Sequence, residues 1–443
     1  MSDEWTHDEV GLSPRPSSDR RSELPSSWSR RVRALVALVA VGAVAAGASL
    51  VPRFVSNSAE TGSIGLDGGT ACQVALPASW LKATHRQLPA SPLGLNPFAV
   101  ASNGRAYFAA VEAAAWSGVV EVNAATGVAH RIEEFTPPTE TVTPTGSTGH
   151  TSVNVLSGSF DGRWLVWEQE RQLQGLATAT TLMAWDSVSG DIWSIAGPFS
   201  AAVPVAQDPA PEAGLLAWGG SSAGKSATIH FQLYSLRDRR SKAVREAPRQ
   251  NSFGGAFFWH HALLFDVGGG LAKQKSWHLE AFSVTTGDPT AVPAALRTLR
   301  GLETVGADAQ YAYGVRRSEG SPSSPNRPVQ FTILILGPEA REMSKLTGFQ
   351  ARLLTEVSLF GHYLAWQVWP TSSSTFVSVA DLASAAWVRF PGVVSGQRGP
   401  EIFGGLGGGS TLLTLGADGA TDSYGSSVAV LHLTRLTSLV CPR

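Results

Sequence analysis

The chain has 443 residues, with 34 Lys and Arg against 35 Asp and Glu, so its formal net charge is -1. That balance creates no broad positive field, and nucleic acid is excluded as an expected partner. Charged residues make up 16% of the chain, below the usual ~25%, so the surface must lean on Ser, Thr, Gly and Ala.

Residues 1–33 read as a disordered cytoplasmic leader, because Met1 to Ser29 mixes Ser, Pro, Asp, Glu and Arg with little apolar content. Residues 34–51, Ala34 to Val51, are an uninterrupted apolar stretch, preceded by Arg30, Arg31 and Arg33 and followed by Pro52 and Arg53. At about 1.5 Å per residue one helix of that length just reaches across a hydrocarbon core, and its basic flank belongs in the cytoplasm. A single-pass signal anchor in the cell membrane is therefore expected, with the carboxyl-terminal body extracytoplasmic. A cleaved signal peptide is the rival reading, since Ala46-Gly47-Ala48 fits a small-residue cleavage site and would release a secreted body after Ala48. Ser29-Arg30-Arg31 also resembles a twin-arginine export signal. Residues 52–71 contain the Gly/Ser/Thr-rich run Ser56 to Thr70, which reads as a flexible tether.

From residue 72 to 443 a two-part phrase recurs about every 50 residues, a period that in β-type sequence marks propeller blades. Its first half is a tight turn feeding an apolar strand, as in Asp161-Gly162 before Trp164-Leu165-Val166-Trp167. Counterparts are Asn103-Gly104 before Tyr107, Ala213-Gly214 before Leu215, His260-His261 before Leu263, Asp308-Ala309 before Tyr311, Gly361-His362 before Tyr363 and Gly408-Gly409 before Leu412. The second half alternates with period two, as in Thr228-Ile229-His230-Phe231-Gln232-Leu233-Tyr234, and ends in a polar or glycine turn. Those turns are Thr126-Gly127, Ser189-Gly190, Asp238-Arg239, Thr286-Gly287, Gly337-Pro338, Ala383-Ser384 and Thr434-Arg435. The fold expected is all-β: a seven-bladed β-propeller of four-stranded blades, preceded by one amino-terminal transmembrane helix.

Ser159-Phe160-Asp161-Gly162-Arg163-Trp164-Leu165-Val166-Trp167 resembles the S-P-D-G-K-x-I-A-F segment of TolB-like and WD40-like propeller repeats, with Phe160 where that family often has proline. The resemblance covers roughly residues 95 to 440 and implies fold only, because such propellers serve as scaffolds, binding proteins and peptidase domains alike. It carries over no catalytic residue.

The two cysteines, Cys72 and Cys441, flank the repeats, and a disulfide between them would tie the ends of the ring. Most tryptophans fall on predicted strands, where large side chains fill the gaps between facing sheets.

Gly219 to Ser226 fits the phosphate-loop pattern, yet that chemistry needs Lys225 and Ser226 to open a helix, and Ala227 to Leu236 alternates like a strand. No nucleotide is expected there. Ser222 formally matches a nucleophile elbow but sits in the same hairpin. Asp418 and Asp422 share a Gly-rich loop without the alternating oxygen ligands of a calcium loop. Aligned with the other blades, Asp266 falls in the strand slot of Trp167, Trp218, Tyr313 and Trp366, and a carboxylate among apolar strands needs a donor. His260, His261 and His278 come from the same blade and could supply it. These four are the candidate binding residues, without recognised metal-ligand spacing; no cofactor is expected. The reading is a membrane-anchored extracytoplasmic platform for a protein or envelope ligand. Its rival is an exported glycan- or peptide-active enzyme with acids converging at one mouth of the channel.

Overall fold

The computed structural model describes residues 64–66, 69–85, 95–113, 116–135, 140–142, 148–173, 176–200, 212–221, 228–248, 251–260 and 262–269. It further describes 278–297, 302–308, 311–317, 329–337, 343–351, 353–371, 374–390, 393–394, 401–404, 410–415 and 427–441. The Ala34–Val51 span and Lys225 lie outside these. Among the described residues no helix is long and apolar enough to cross a membrane.

The described chain begins with a hairpin, β1 (Ile64–Leu66) and β2 (Gly69–Gln73), within the stretch read above as a tether, and a short helix, α1 (Ala78–His85). The first sheet is β3 (Leu95–Val100), β4 (Ala106–Ala113), β5 (Trp116–Asn123) and β6 (Ala129–Glu134). The second is β7 (Glu140–Val142), β8 (Thr148–Phe160), β9 (Trp164–Leu173), β10 (Leu176–Asp186) and β11 (Ile192–Ser200). In the third stand β12 (Leu215–Ser221), β13 (Thr228–Ser235) and β14 (Arg240–Pro248). The fourth contains β15 (Asn251–Trp259), β16 (Ala262–Gly269), β17 (His278–Ser283) and β18 (Pro289–Thr290).

The fifth sheet is double. One half is β19 (Leu302–Ala307), β20 (Ala312–Arg317), β21 (Val329–Leu336) and β22 (Met343–Ala351). The other half is β23 (Leu353–Phe360), β24 (Tyr363–Thr371), β25 (Ser374–Asp381), β26 (Ala386–Arg389) and β27 (Val393–Val394). The last sheet is β28 (Glu401–Gly404), β29 (Ser410–Leu415) and β30 (Ser427–His432).

Counted by hydrogen-bonded sheets, the propeller has six blades, one of them double, rather than the seven expected. The physical reason is the amino-terminal hairpin. Strand β1 pairs antiparallel with β22 (Gly65↔Thr347) and β2 pairs parallel with β26 (Cys72↔Ala386), which fuses two neighbouring antiparallel units into eleven strands.

Each sheet packs its apolar face on the next. Phe98 and Phe108 of the first meet Phe160, Leu165 and Trp167 of the second. Trp164 and Val166 then meet Leu216 and Tyr234, and Phe231 and Leu233 meet Leu263 and Phe265. Leu264 and Leu279 pack on Leu302 and Leu334, Ile333 and Leu346 on Leu364 and Trp366, and Tyr363 and Val377 on Ala429 and Leu431. Val430 finally lies against Val100, Tyr107 and Val122, which closes the ring. At roughly 1.5–3 kcal/mol for each large apolar side chain buried, these junctions are the main source of its stability.

Two kinds of turn set the register. In the first, Asp161 Oδ1 accepts hydrogen bonds from the amides of Arg163 (3.0 Å) and Trp164 (2.9 Å), while Gly162 takes a φ of 105° that suits glycine. Asp161 Oδ2 also accepts from the Gly214 amide of the third sheet at 3.0 Å, so the turn locks one sheet to its neighbour. The second kind ends the third strand of a unit. Asn123, Asp186, Ser235, Ser283 and Asp381 each accept a hydrogen bond from an amide of the turn that follows, which stiffens it.

Candidate interaction surface

The four residues singled out from sequence are spread by the fold rather than gathered. Asp266 pairs through its backbone with Gly255 and Leu279, and its side chain lies outside the described residues. The register corrects its slot by one. Ala262, Trp164 and Tyr363 each face the last residue of a third strand, Ser283, Asp186 and Asp381. Four residues further on stand Asp266, Glu168 and Gln367, while Phe265 holds the slot of Trp167 and Trp366. A one-residue slip moves a side chain to the opposite face of the sheet, so Asp266 shares the register of two buried polar residues, Glu168 and Gln367. His260 sits in the tight turn with a φ of 47°, exposed and with its ring 4.3 Å from Trp259. That turn is roughly 13 Å along the strand from Asp266. His261 lies outside the described residues. His278 places Nε2 at 3.4 Å from Glu280 Oε1, and Glu280 accepts from Arg245 of the third sheet, Nε at 2.7 Å and Nη2 at 3.2 Å. His278 therefore stands beside the Arg245–Glu280 ion pair that links two sheets. Among the described residues no three His, Cys, Asp or Glu side chains gather as metal ligands.

The phosphate-loop pattern falls on a hairpin. Gly219, Gly220 and Ser221 pair with Phe231, His230 and Ile229. Strand resumes at Thr228, where a phosphate cradle needs the start of a helix.

A more organised constellation lies on the tight-turn face of the second and third sheets. Arg163 leaves the first turn of the second sheet and binds Asp186 through Nε (3.0 Å) and Nη2 (2.7 Å), with its guanidinium 4.5 Å above the Trp164 ring. The Arg163 hydrogen bonds hold the Asp186 carboxyl at a pKa of about 2, below the usual carboxylate range, with the Val188 amide adding to the effect. On the next turn Arg239 lies 4.3 Å above the Trp193 ring and pairs with Asp191. Trp193 Nε1 in turn donates to Tyr234 Oη at 3.0 Å. Each stack contributes about 0.5–1 kcal/mol at an exposed site, but the larger effect is order: a carboxylate fixes each arginine over its tryptophan.

Beside these stacks stand exposed apolar side chains. Val188 is 75% exposed in the turn that Asp186 caps, Ile192 follows it, and Val128 is 54% exposed in the matching turn of the first sheet. Immobilised Trp, Tyr and Arg next to exposed aliphatics is the composition of a protein-binding hot spot. None of these residues was a candidate from sequence. A usable signal was the dense Arg237-Asp238-Arg239-Arg240 turn, but its stacking partner Trp193 is some forty residues away.

A second feature is a single carboxyl. Burial pushes Glu133 of β6 up to about 7, although Gln169 Nε2 of the second sheet donates to its Oε2 and lowers it. On the same strand as Gln169, Gln172 Nε2 donates to Glu170 Oε1 at 2.6 Å.

No protein-family model matches the chain, and no curated protein does. Solved structures do match. TolB from Acinetobacter baumannii aligns over 64% of this chain and 80% of its own, with 12% identity and a TM-score of 0.37. The chain's own fold is a β-propeller. The ring of sheets described above is what establishes that fold. The chain also aligns with a prolyl endopeptidase over 83% of its length, with 14% identity and a TM-score of 0.48. It spans about half of that protein, 51%. Oligogalacturonate lyase from Vibrio parahaemolyticus aligns over 78% of this chain and 92% of its own, with 12% identity and a TM-score of 0.48.

Proposed function

We propose that this chain is an extracytoplasmic interaction platform, held at the membrane through Ala34–Val51, that engages a protein partner with the tight-turn face of its second and third sheets. The observation that carries this reading is the pair of arginine–tryptophan stacks beside exposed Val188. Asp186 and Asp191 fix the two guanidinium groups, so little side-chain entropy is lost on binding, and exposed aliphatics stand ready for burial. The test is crosslinking capture from membranes with the full chain. Trp193→Ala should reduce the captured partner by about tenfold at a temperature where unfolding curves show the variant to be folded. Equal capture by wild type and variant would reject the reading. Protease added to intact cells should degrade the propeller while sparing the leader; a protected propeller would reject the topology.

One observation favours a second reading, an exported enzyme. Glu133, with its pKa at about 7, is suited to give or take a proton near neutral pH. Turnover on a glycan and peptide panel that is lost in Glu133→Gln would support it.

A further inference from the structure

The proposed surface is uneven in charge. In the third sheet's closing turn, residues 237–242 are all exposed and carry Arg237, Arg239, Arg240 and Lys242 against one acid, Asp238. Four cations in six residues form a local exception in a chain of net charge -1.

Three of the acids nearby are already engaged. Ser235 Oγ donates to Asp238 Oδ2 at 2.8 Å, Asp191 is paired with Arg239, and Asp186 with Arg163. The cations, moreover, span three sheets. Arg239 turns back onto Trp193 and Asp191 of the second sheet. Lys242 reaches forward over the fourth, where a Cβ added at Gly287 would lie 2.9 Å from the lysine Cε. Arg240 stands two residues from Lys242 on β14 and so shares its face. The result is a cationic ridge across neighbouring blades, with Val188 and the Trp193 ring at its second-sheet end.

We infer that this ridge takes an acidic segment of a partner protein in which carboxylates alternate with apolar side chains. The inference rests on the platform reading above and names the chemistry of its partner. Carboxylates suit Arg237, Arg240 and Lys242, and a polar polymer would leave Val188 without a contact to bury. Exposed guanidinium groups in a row also steer an anionic segment on approach, an effect that salt screens over a Debye length of about 8–10 Å.

The test uses the full chain in detergent with three probes: a synthetic peptide alternating Glu and Leu, its Lys–Leu counterpart, and alginate as a polysaccharide anion. The Glu–Leu peptide should bind, weaken by about tenfold between about 50 and about 300 mM salt, and weaken by about tenfold again in the Arg240→Glu/Lys242→Glu double variant. The Lys–Leu peptide should not bind, and alginate should bind about tenfold more weakly than the Glu–Leu peptide. Alginate binding as tight as the peptide, or a double variant that binds the peptide as wild type does, overturns the inference. Partner capture that survives in the double variant but is lost in Trp193→Ala overturns the acidic segment alone. Capture that survives in both overturns the platform as well.

Discussion

The clasp at the outer edge of the last two units and the seam beside it close the same ring by different physics. At the clasp, Cys72 on β2 is disulfide-bonded to Cys441 with a Cα–Cα distance of 5.7 Å, and β2 adds a parallel strand to β26. Helix α1 packs on β30, burying Trp80 completely, with its Nε1 donating to Thr437 O at 2.9 Å and Ser79 Oγ bonded to Thr437 Oγ1. At the seam the described first and last sheets share no strand pairing. Val430 packs against the first sheet, and the His432 ring lies so close to Gly104 that a Cβ there would stand 2.2 Å from Cε1. The amino-terminal arm thus supplies the long-range tie, and the seam needs only surface fit.

The comparison is broken most directly at the sulfur bridge. Its two cysteines are 369 residues apart, and on the loop-entropy model such a cross-link contributes about 6 kcal/mol. Cys72→Ser should lower stability by about that amount in denaturant unfolding, and reducing the wild type should reproduce the loss. Trp80→Ala comes next, at about 3–5 kcal/mol, because it empties a filled site and leaves the Thr437 carbonyl without its donor. With the disulfide intact, that loss isolates the helix from the covalent tie.

Gly104→Ala sharpens the other side of the comparison. At a φ of 62° with His432 against it, the substitution combines backbone strain with a clash and should cost about 1–3 kcal/mol. A Gly104→Ala/His432→Ala double variant should recover the clash component, and strict additivity of the two changes would show that the seam contact does not couple them. Burial, with Arg435 nearby, holds the His432 pKa below its ordinary value, so the ring is neutral where it meets the first sheet.

The smallest change is expected at an ordinary junction between neighbouring sheets. Glu133 has its carboxyl raised from 4.5 to about 7 by burial, so the folded state holds its proton more tightly than the unfolded chain. Its contribution is full below 4.5 and is lost as pH rises through about 7. Glu133→Gln should flatten the stability profile across that window, measured by urea unfolding at several pH values.

Much of this architecture was legible in local sequence. Asp161-Gly162 announces its own turn because the carboxylate, the amides it accepts from and the glycine φ lie within four residues. The same holds for Asn123, Asp186, Ser235, Ser283 and Asp381, whose side chains act on the turns that follow. The Asp266 slot was misplaced by one residue because equal apolar runs do not reveal their offset. Only pairing with β17 fixes that offset. Of the arginine–tryptophan surface only the dense Arg237–Arg240 turn was legible, since Arg239 finds Trp193 and Asp191 on another sheet.

By itself, the order of residues determined that this is a chain of repeated antiparallel strands with its two cysteines at the ends, because turn chemistry and side-chain alternation act between near neighbours. Tertiary structure alone decided that the amino-terminal hairpin would fuse two units into one sheet, that α1 would cover β30, and that cations from one turn would span three blades. Those outcomes depend on backbone edges and side chains tens to hundreds of residues apart, whose meeting is settled by packing around the whole ring rather than by any local preference.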